Sequence, residues 1–258
     1  MHRFRAAFLL SCTVLIAATA SAATVYAVFD DAGTNTYGTL DMGTGVFSPI
    51  ATQTPNLYGM GFAPNGNLYG TDSATNAGVY QVDPLTGNLT NLGTSTNSVI
   101  GSTVGSDGLI YAVSQDSNGI FYTINPTTVA TNVINTFGFQ SDGLSVFADG
   151  IFYTDLMGPT DDTLEAVDPI TGVATAVGTG LGVQIFAGVD VNGTIYGGDG
   201  AGNLYTINLS SGVATLVAAV TGATGGLDAL AFQPVPEPPT ASLAGIAFVT
   251  ICLFKLRC

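Results

Sequence analysis

Between Thr24 and Phe232 the chain alternates short runs of apolar, aromatic and β-branched residues with turns built from Asn, Asp, Gly and Pro. Leu57–Ala63, Asn67–Thr71, Gly78–Val82 and Asn88–Leu92 form one such set. Runs this short, bounded by turn residues, read as strands. Periodicity of 3.6 is absent from the whole stretch, which predicts an all-β body. The joints carry their own signal. Asn65-Gly66, Asp107-Gly108, Asp149-Gly150 and Asn192-Gly193 supply the positive φ that a two-residue type I′ hairpin needs. A second turn series combines a side-chain cap with a late glycine in Asp41 to Gly45, Asp83 to Gly87, Asp168 to Gly172 and Asn208 to Gly212, and has the cap without the glycine in Asn125 to Thr128.

These signals repeat. Tyr26, Tyr69, Tyr111, Tyr153 and Tyr196 follow one another at spacings of 43, 42, 42 and 43. Tyr37, Tyr80, Tyr122, Leu164 and Tyr205 follow at 43, 42, 42 and 41. A period near 42 with four strands per unit, here A to D, is the pattern of a β-propeller blade. The first unit, from Thr24, has B, C and D but no A. Gly226–Phe232 matches the A strands, with Phe232 in the place of Phe62, and nothing of the repeat follows it. The expectation is a five-bladed β-propeller over residues 23–234, sealed by the last strand A pairing with the first B–D. A β-solenoid, the architectural alternative, gives no purpose to complementary halves at the two ends. The units resemble YVTN, NHL and quinoprotein-type repeats, a likeness that implies architecture rather than activity.

Composition narrows the chemistry sharply. All four basic residues (Arg3, Arg5, Lys255, Arg257), the single His2 and the three cysteines (Cys12, Cys252, Cys258) lie outside residues 23–234, and the chain has no Trp. Seventeen of the eighteen acidic residues lie inside, for a formal charge of −17. A body without Lys or Arg cannot neutralise phosphates, so nucleic acid is excluded as a partner. Without His or Cys it has no nucleophile–base pair, no structural zinc and no disulfide. The fold must rest on packing and backbone hydrogen bonds, which is feasible at about 200 residues.

The two ends read as addresses. Residues 1–22 comprise a basic start, the apolar run Ala6–Ala18 and Ala20-Ser21-Ala22 before Ala23, the parts of a secretory signal peptide cleaved between Ala22 and Ala23. A lipid anchor at Cys12 is the rival reading, which the apolar run continuing through Val14, Leu15 and Ile16 disfavours. At the other end, Val235-Pro236-Glu237-Pro238-Pro239 is a stiff spacer before the apolar stretch Thr240–Phe254 and a tip of Lys255-Leu256-Arg257-Cys258. As a helix that stretch would rise about 22 Å, a short membrane stop whose basic tip stays with the cytoplasmic headgroups. Residues 235–258 resemble the PEP-CTERM sorting signal. The resemblance implies recognition of Pro236, Glu237 and Pro238 by an exosortase, a transient inner-membrane tether, and release to the cell surface or extracellular matrix of a Gram-negative-type bacterium that makes extracellular polysaccharide. The tip is less basic than is usual for that family.

Within the body only carboxylates, amides, hydroxyls and phenols remain for chemistry. Asp142 and Asp228 fall at the same place near the start of a strand A, matching Tyr58, Ile100 and Ile185. They are the best channel-mouth pair for a glycoside hydrolase, which needs two carboxyl groups. Against that stand a single glutamate in the body, Glu165, and no Trp for a sugar to stack on. Calcium is the one cofactor the composition leaves open. Asp190, Asn192 and Asp199 are its candidate ligands, since Asp190-Val191-Asn192-Gly193 is half of a calcium loop, although no stretch completes the pattern. Turn capping accounts for most of the other acids, including Asp30, Asp72 and Asp155. The five strand-B tyrosines read as packing between neighbouring units. The expectation is a non-enzymatic, exported protein that binds or structures extracellular polysaccharide. A hydrolase and a passive cation-binding surface component are the alternatives.

Overall fold

The computed structural model describes residues 24–31, 33–158 and 162–234. All of their regular structure is strand. In chain order these are β1 (Thr24–Asp31), β2 (Thr34–Leu40), β3 (Phe47–Gln53), β4 (Gly59–Phe62), β5 (Leu68–Thr71), β6 (Gly78–Val82) and β7 (Leu89–Thr94). There follow β8 (Gly101–Val104), β9 (Ile110–Val113), β10 (Ile120–Ile124), β11 (Thr131–Thr136), β12 (Ser145–Ala148), β13 (Ile151–Leu156), β14 (Thr163–Val167) and β15 (Ala174–Val177). The last five are β16 (Ala187–Val191), β17 (Thr194–Gly198), β18 (Asn203–Ile207), β19 (Ala214–Ala219) and β20 (Gly226–Gln233). Among the described residues no helix is long and apolar enough to cross a membrane. The cleavage position Ala22–Ala23, the Pro236-Glu237-Pro238 motif and the expected C-terminal helix lie outside the described residues.

The twenty strands form four sheets, where the repeat led us to expect five separate ones. Three are four-stranded: β20-β1-β2-β3, β12-β13-β14-β15 and β16-β17-β18-β19. The fourth is eight-stranded, in the order β11-β10-β9-β8-β4-β5-β6-β7. Its two antiparallel halves are joined only through a parallel contact of β4 with β8, at Gly59 and Ser102. Glycine permits the junction. A Cβ on Gly61 would lie 2.6 Å from the Val104 nitrogen, and one on Gly59 would collide with the Ser102 backbone. The expected closure is present: β20 pairs antiparallel with β1, from Thr24↔Gln233 to Asp30↔Gly226.

Each four-stranded unit buries both faces against its neighbours. Five apolar clusters result, each shared between two successive units. Tyr26, Tyr37, Leu57, Met60 and Ala231 pack in one, and Phe29, Leu40, Val189, Leu204 and Leu227 in another. The first strands touch in the cyclic order β20, β4, β8, β12, β16 and back to β20. At one end of this central wall, Phe62, Val104, Phe147, Val189 and Phe232 contribute one apolar side chain from each first strand. The tyrosine series packs across units as expected, with Tyr26 against Phe62 at 5.8 Å and Tyr111 against Phe147 at 5.1 Å.

The turns bear out their sequences, with one difference. Asp149-Gly150 and Asn192-Gly193 take the two positive φ values of a type I′ hairpin (52° and 80°, 53° and 84°). At Asn65-Gly66 and Asp107-Gly108 only the glycine is left-handed, and the amides of Gly66 and Gly108 donate to Ala63 O and Gly105 O. These are type I turns followed by a left-handed glycine, one residue longer. Pro64 suits that form, since its fixed φ fits the second position of a type I turn. In the second turn series the cap carbonyl accepts from the fifth residue, as from Gly45 N to Asp41 O at 2.8 Å and from Gly172 N to Asp168 O at 2.7 Å.

Candidate functional site

The ends of β5, β9 and β17 are followed by Asp72, Ser114 and Asp199, each three residues beyond the repeated tyrosine. All three cap their own loop. Asp72 accepts from the amides of Ala74 and Gly78 and from the Tyr80 hydroxyl. Asp199 accepts from the amides of Ala201 and Asn203 and the Tyr205 hydroxyl. Ser114 Oγ accepts from Ile120 N. In the corresponding sector Asp155 stands only two residues beyond Tyr153 and is still in the β13 ladder, opposite Leu164. Strand side chains alternate, so this shift of one residue turns the carboxylate to the other face.

There Asp155 joins Asp142 and Asp162, whose carboxylate oxygens all lie within 4.8 Å of one another. Asp155 is fully buried. Its Oδ1 accepts from Ser141 Oγ at 2.8 Å and Leu144 N at 2.9 Å, and its Oδ2 from Asp142 N at 2.7 Å. Burial and the neighbouring Asp162 push its pKa up to about 8, against the pull of those donors. Asp162 accepts from Gly158 N and Ile185 N. It is raised to about 6, chiefly by burial. Burial raises the pKa of the adjacent Asp142 as well. Gln184 Nε2 closes the group by donating to Asp142 Oδ2 at 2.9 Å and to Gly158 O at 3.3 Å. The cluster thus ties the loops before β12, after β13 and before β16 together.

The two aspartates of the expected channel-mouth pair have different partners. Asp228, on β20, is held by Asn56 Nδ2 at 2.6 Å, and burial raises its pKa to about 6, with Asp30 adding to the shift. Asp142 has Gln184 and Asp162 as its partners instead. The three calcium candidates are also divided. Asp190 Oδ1 accepts from Gly193 N and Asn192 sits in the hairpin turn before β17, whereas Asp199 follows the far end of that strand. Five residues of strand separate them, about 16 Å.

Beside the carboxyl cluster lies a feature the sequence reading passed over. Phe139 stacks on Phe137 with centroids 4.9 Å apart and planes 8° from parallel, and Phe137 stacks on the buried Phe121 at 5.4 Å. Met157 N donates to Gln140 O, which places the exposed Met157 next to the same loop. The spacing Phe137-Gly138-Phe139-Gln140-Ser141-Asp142 was the available signal, since it interrupts the repeat with two aromatic residues directly before the acid.

A family model described as a repeat of unknown function (DUF6923) matches residues 18–233. No curated protein matches the chain. Among solved structures, a chain from a crystal structure of a nidogen/laminin complex is similar with a TM-score of 0.55 at 10% identity, over 82% of this chain and 99% of that one. TolB from Acinetobacter baumannii is similar with a TM-score of 0.56 at 10% identity, over 82% of this chain and 67% of that one. At that identity the likeness carries the fold alone: an all-β, propeller-like repeat body.

Proposed function

The chain belongs to the family described as a repeat of unknown function (DUF6923), and on that footing we propose that it is an exported, non-catalytic five-bladed propeller with a binding role in extracellular polysaccharide. The observation that carries the reading is the closure of β20 on β1 with Thr24 opposite Gln233. The first and last strands of the body pair with each other between those two residues, and the flanking segments 1–22 and 235–258 are read as addresses from their sequence. The blade count of five is supported by the cyclic contacts of β20, β4, β8, β12 and β16 and by the five shared apolar clusters. The eight-stranded sheet is then two blades touching through Gly59.

On this reading an exosortase recognises Pro236, Glu237 and Pro238 and frees the propeller from its transient membrane tether. The test is replacement of all three by alanine in a host that carries an exosortase. The variant should accumulate as a longer, membrane-bound form, whereas unchanged release into the extracellular fraction would refute the sorting assignment. The non-catalytic reading is supported by the different partners of the two aspartates, Gln184 for Asp142 and Asn56 for Asp228, which tie each carboxyl into its own loop.

A passive cation-binding role is the second reading, favoured by the convergence of Asp142, Asp155 and Asp162 in a body of charge −17. Calcium would then raise the melting temperature, and Asp162→Asn would abolish the rise. The absence of any calcium-dependent shift would dispose of this reading and leave the first intact.

A further inference from the structure

We propose that the surface formed by Phe139–Asp142 before β12 and by Met157 after β13 binds a neutral polysaccharide strand, with Phe139 as the platform for one sugar ring and Gln140, Asp142 and Gln184 as hydrogen-bonding groups for its hydroxyls. This deepens the polysaccharide reading above and rests on it.

A sugar ring offers an apolar C–H face and a polar edge, so a site for it needs an aromatic surface with acceptors and donors beside it. Phe139 tops a column of three rings, Phe121, Phe137 and Phe139, whose lowest member is wholly buried. Phe137 packs against the Tyr111, Phe121 and Phe152 cluster, whereas Phe139 belongs to none of the apolar clusters among the described residues. Its loop is held in place by Phe137 N donating to Gly119 O and Gly138 N donating to Asn118 O, at 2.9 and 2.8 Å. A partly buried ring on a pinned loop is pre-organised for contact, which lowers the entropy lost on binding.

The polar groups follow directly along the chain. Asp142 is three residues beyond Phe139, and Gln184 is bonded to Asp142 Oδ2. Met157, 40% exposed, extends the apolar surface from the neighbouring loop. Charge selects the ligand further. With seventeen carboxyl groups and no cationic side chain in residues 23–234, the body repels polyanions, so a neutral strand is favoured over an acidic one.

The test is native electrophoresis of the full chain through gels containing hydroxyethyl cellulose, dextran, galactomannan or alginate. Variants Phe139→Ala and Met157→Glu are run beside it, with Leu85→Ala as a control, since Leu85 lies exposed on a turn of the Gly78–Thr94 sector. Retardation by at least one neutral polymer is expected, with apparent affinity about tenfold weaker in both variants. The control and all melting temperatures should be unchanged. Met157→Glu keeps the test open should Phe139→Ala fail to fold. If the wild type is retarded by none of the polymers, the polysaccharide reading itself falls. If it is retarded and both variants match it, that reading stands and this site is overturned. Retardation by alginate alone overturns the choice of a neutral ligand.

Discussion

Ser145→Ala should stabilise the protein, while the same change at the equivalent Ser102 should destabilise it. The two serines occupy matching places. Ser102 Oγ lies against Gly59, opposite which stands Thr71, and the two hydroxyls share a hydrogen bond at 2.8 Å. Ser145 Oγ lies against Gly101, opposite which stands Val113. Valine has no hydroxyl, and Ser145 Oγ, in a side chain 3% exposed, has no partner. An unpaired buried hydroxyl costs about 1–3 kcal/mol. Deleting the oxygen forfeits contacts worth on the order of 0.5–1 kcal/mol. The net gain for Ser145→Ala is therefore about 1 kcal/mol. Ser102→Ala loses a hydrogen bond and strands the fully buried Thr71 hydroxyl, a cost of about 2 kcal/mol. For a body of this size 1 kcal/mol moves the melting temperature by roughly 2–4 °C. Calorimetric melting of both variants and of Val113→Thr, which restores the missing hydroxyl, measures the set. Val113→Thr combined with Ser145→Ala should show a coupling of about 1 kcal/mol relative to the single changes. A fall in melting temperature for Ser145→Ala as large as that for Ser102→Ala would refute the argument.

Other tests address different parts of the fold. The raised pKa values of Asp155, about 8, and Asp162, about 6, mean that the native state holds protons the unfolded chain has released. Their stabilising effect is complete below the ordinary carboxylate range and is lost as pH rises towards 8, so the urea midpoint should fall between pH 4 and about 8 and flatten in Asp155→Asn. Val129 holds φ 58°, where the four matching turns have glycine at 67–72°. A β-branched residue there carries roughly 2 kcal/mol of strain against about 0.5–1 for the entropy of glycine, so Val129→Gly should gain about 1 kcal/mol by melting. Gly59→Ala should cost about 3 kcal/mol or more, because the new Cβ would meet backbone that cannot yield. A melting temperature equal to wild type would show that the approach of β4 to β8 is not tight.

What could be read from the chain and what could not divide along the repeat. Asn192-Gly193, Asp168 to Gly172 and the tyrosine series act through their nearest neighbours, so their structures follow from local chemistry repeated in register. The closure by Gly226–Phe232 was legible for the same reason, as a strand A without its own B. The carboxyl cluster was not. Asp142, Asp155 and Asp162 occupy three different places in the repeat, and Asp155 resembles Asp72 and Asp199 in every respect but a one-residue offset from its tyrosine. That offset keeps it within β13, reverses its face and commits it to the amides of Asp142 and Leu144 in place of its own loop. The same sector alone places two phenylalanines in the loop before strand A. A repeated unit makes its sectors alike by default, so a departure concentrated in one of them marks where the rim differs from a scaffold. The fit of the aromatic column, the buried acids and Gln184 around one set of loops is why function is assigned to this sector and not to the central wall, which every unit lines alike with apolar side chains.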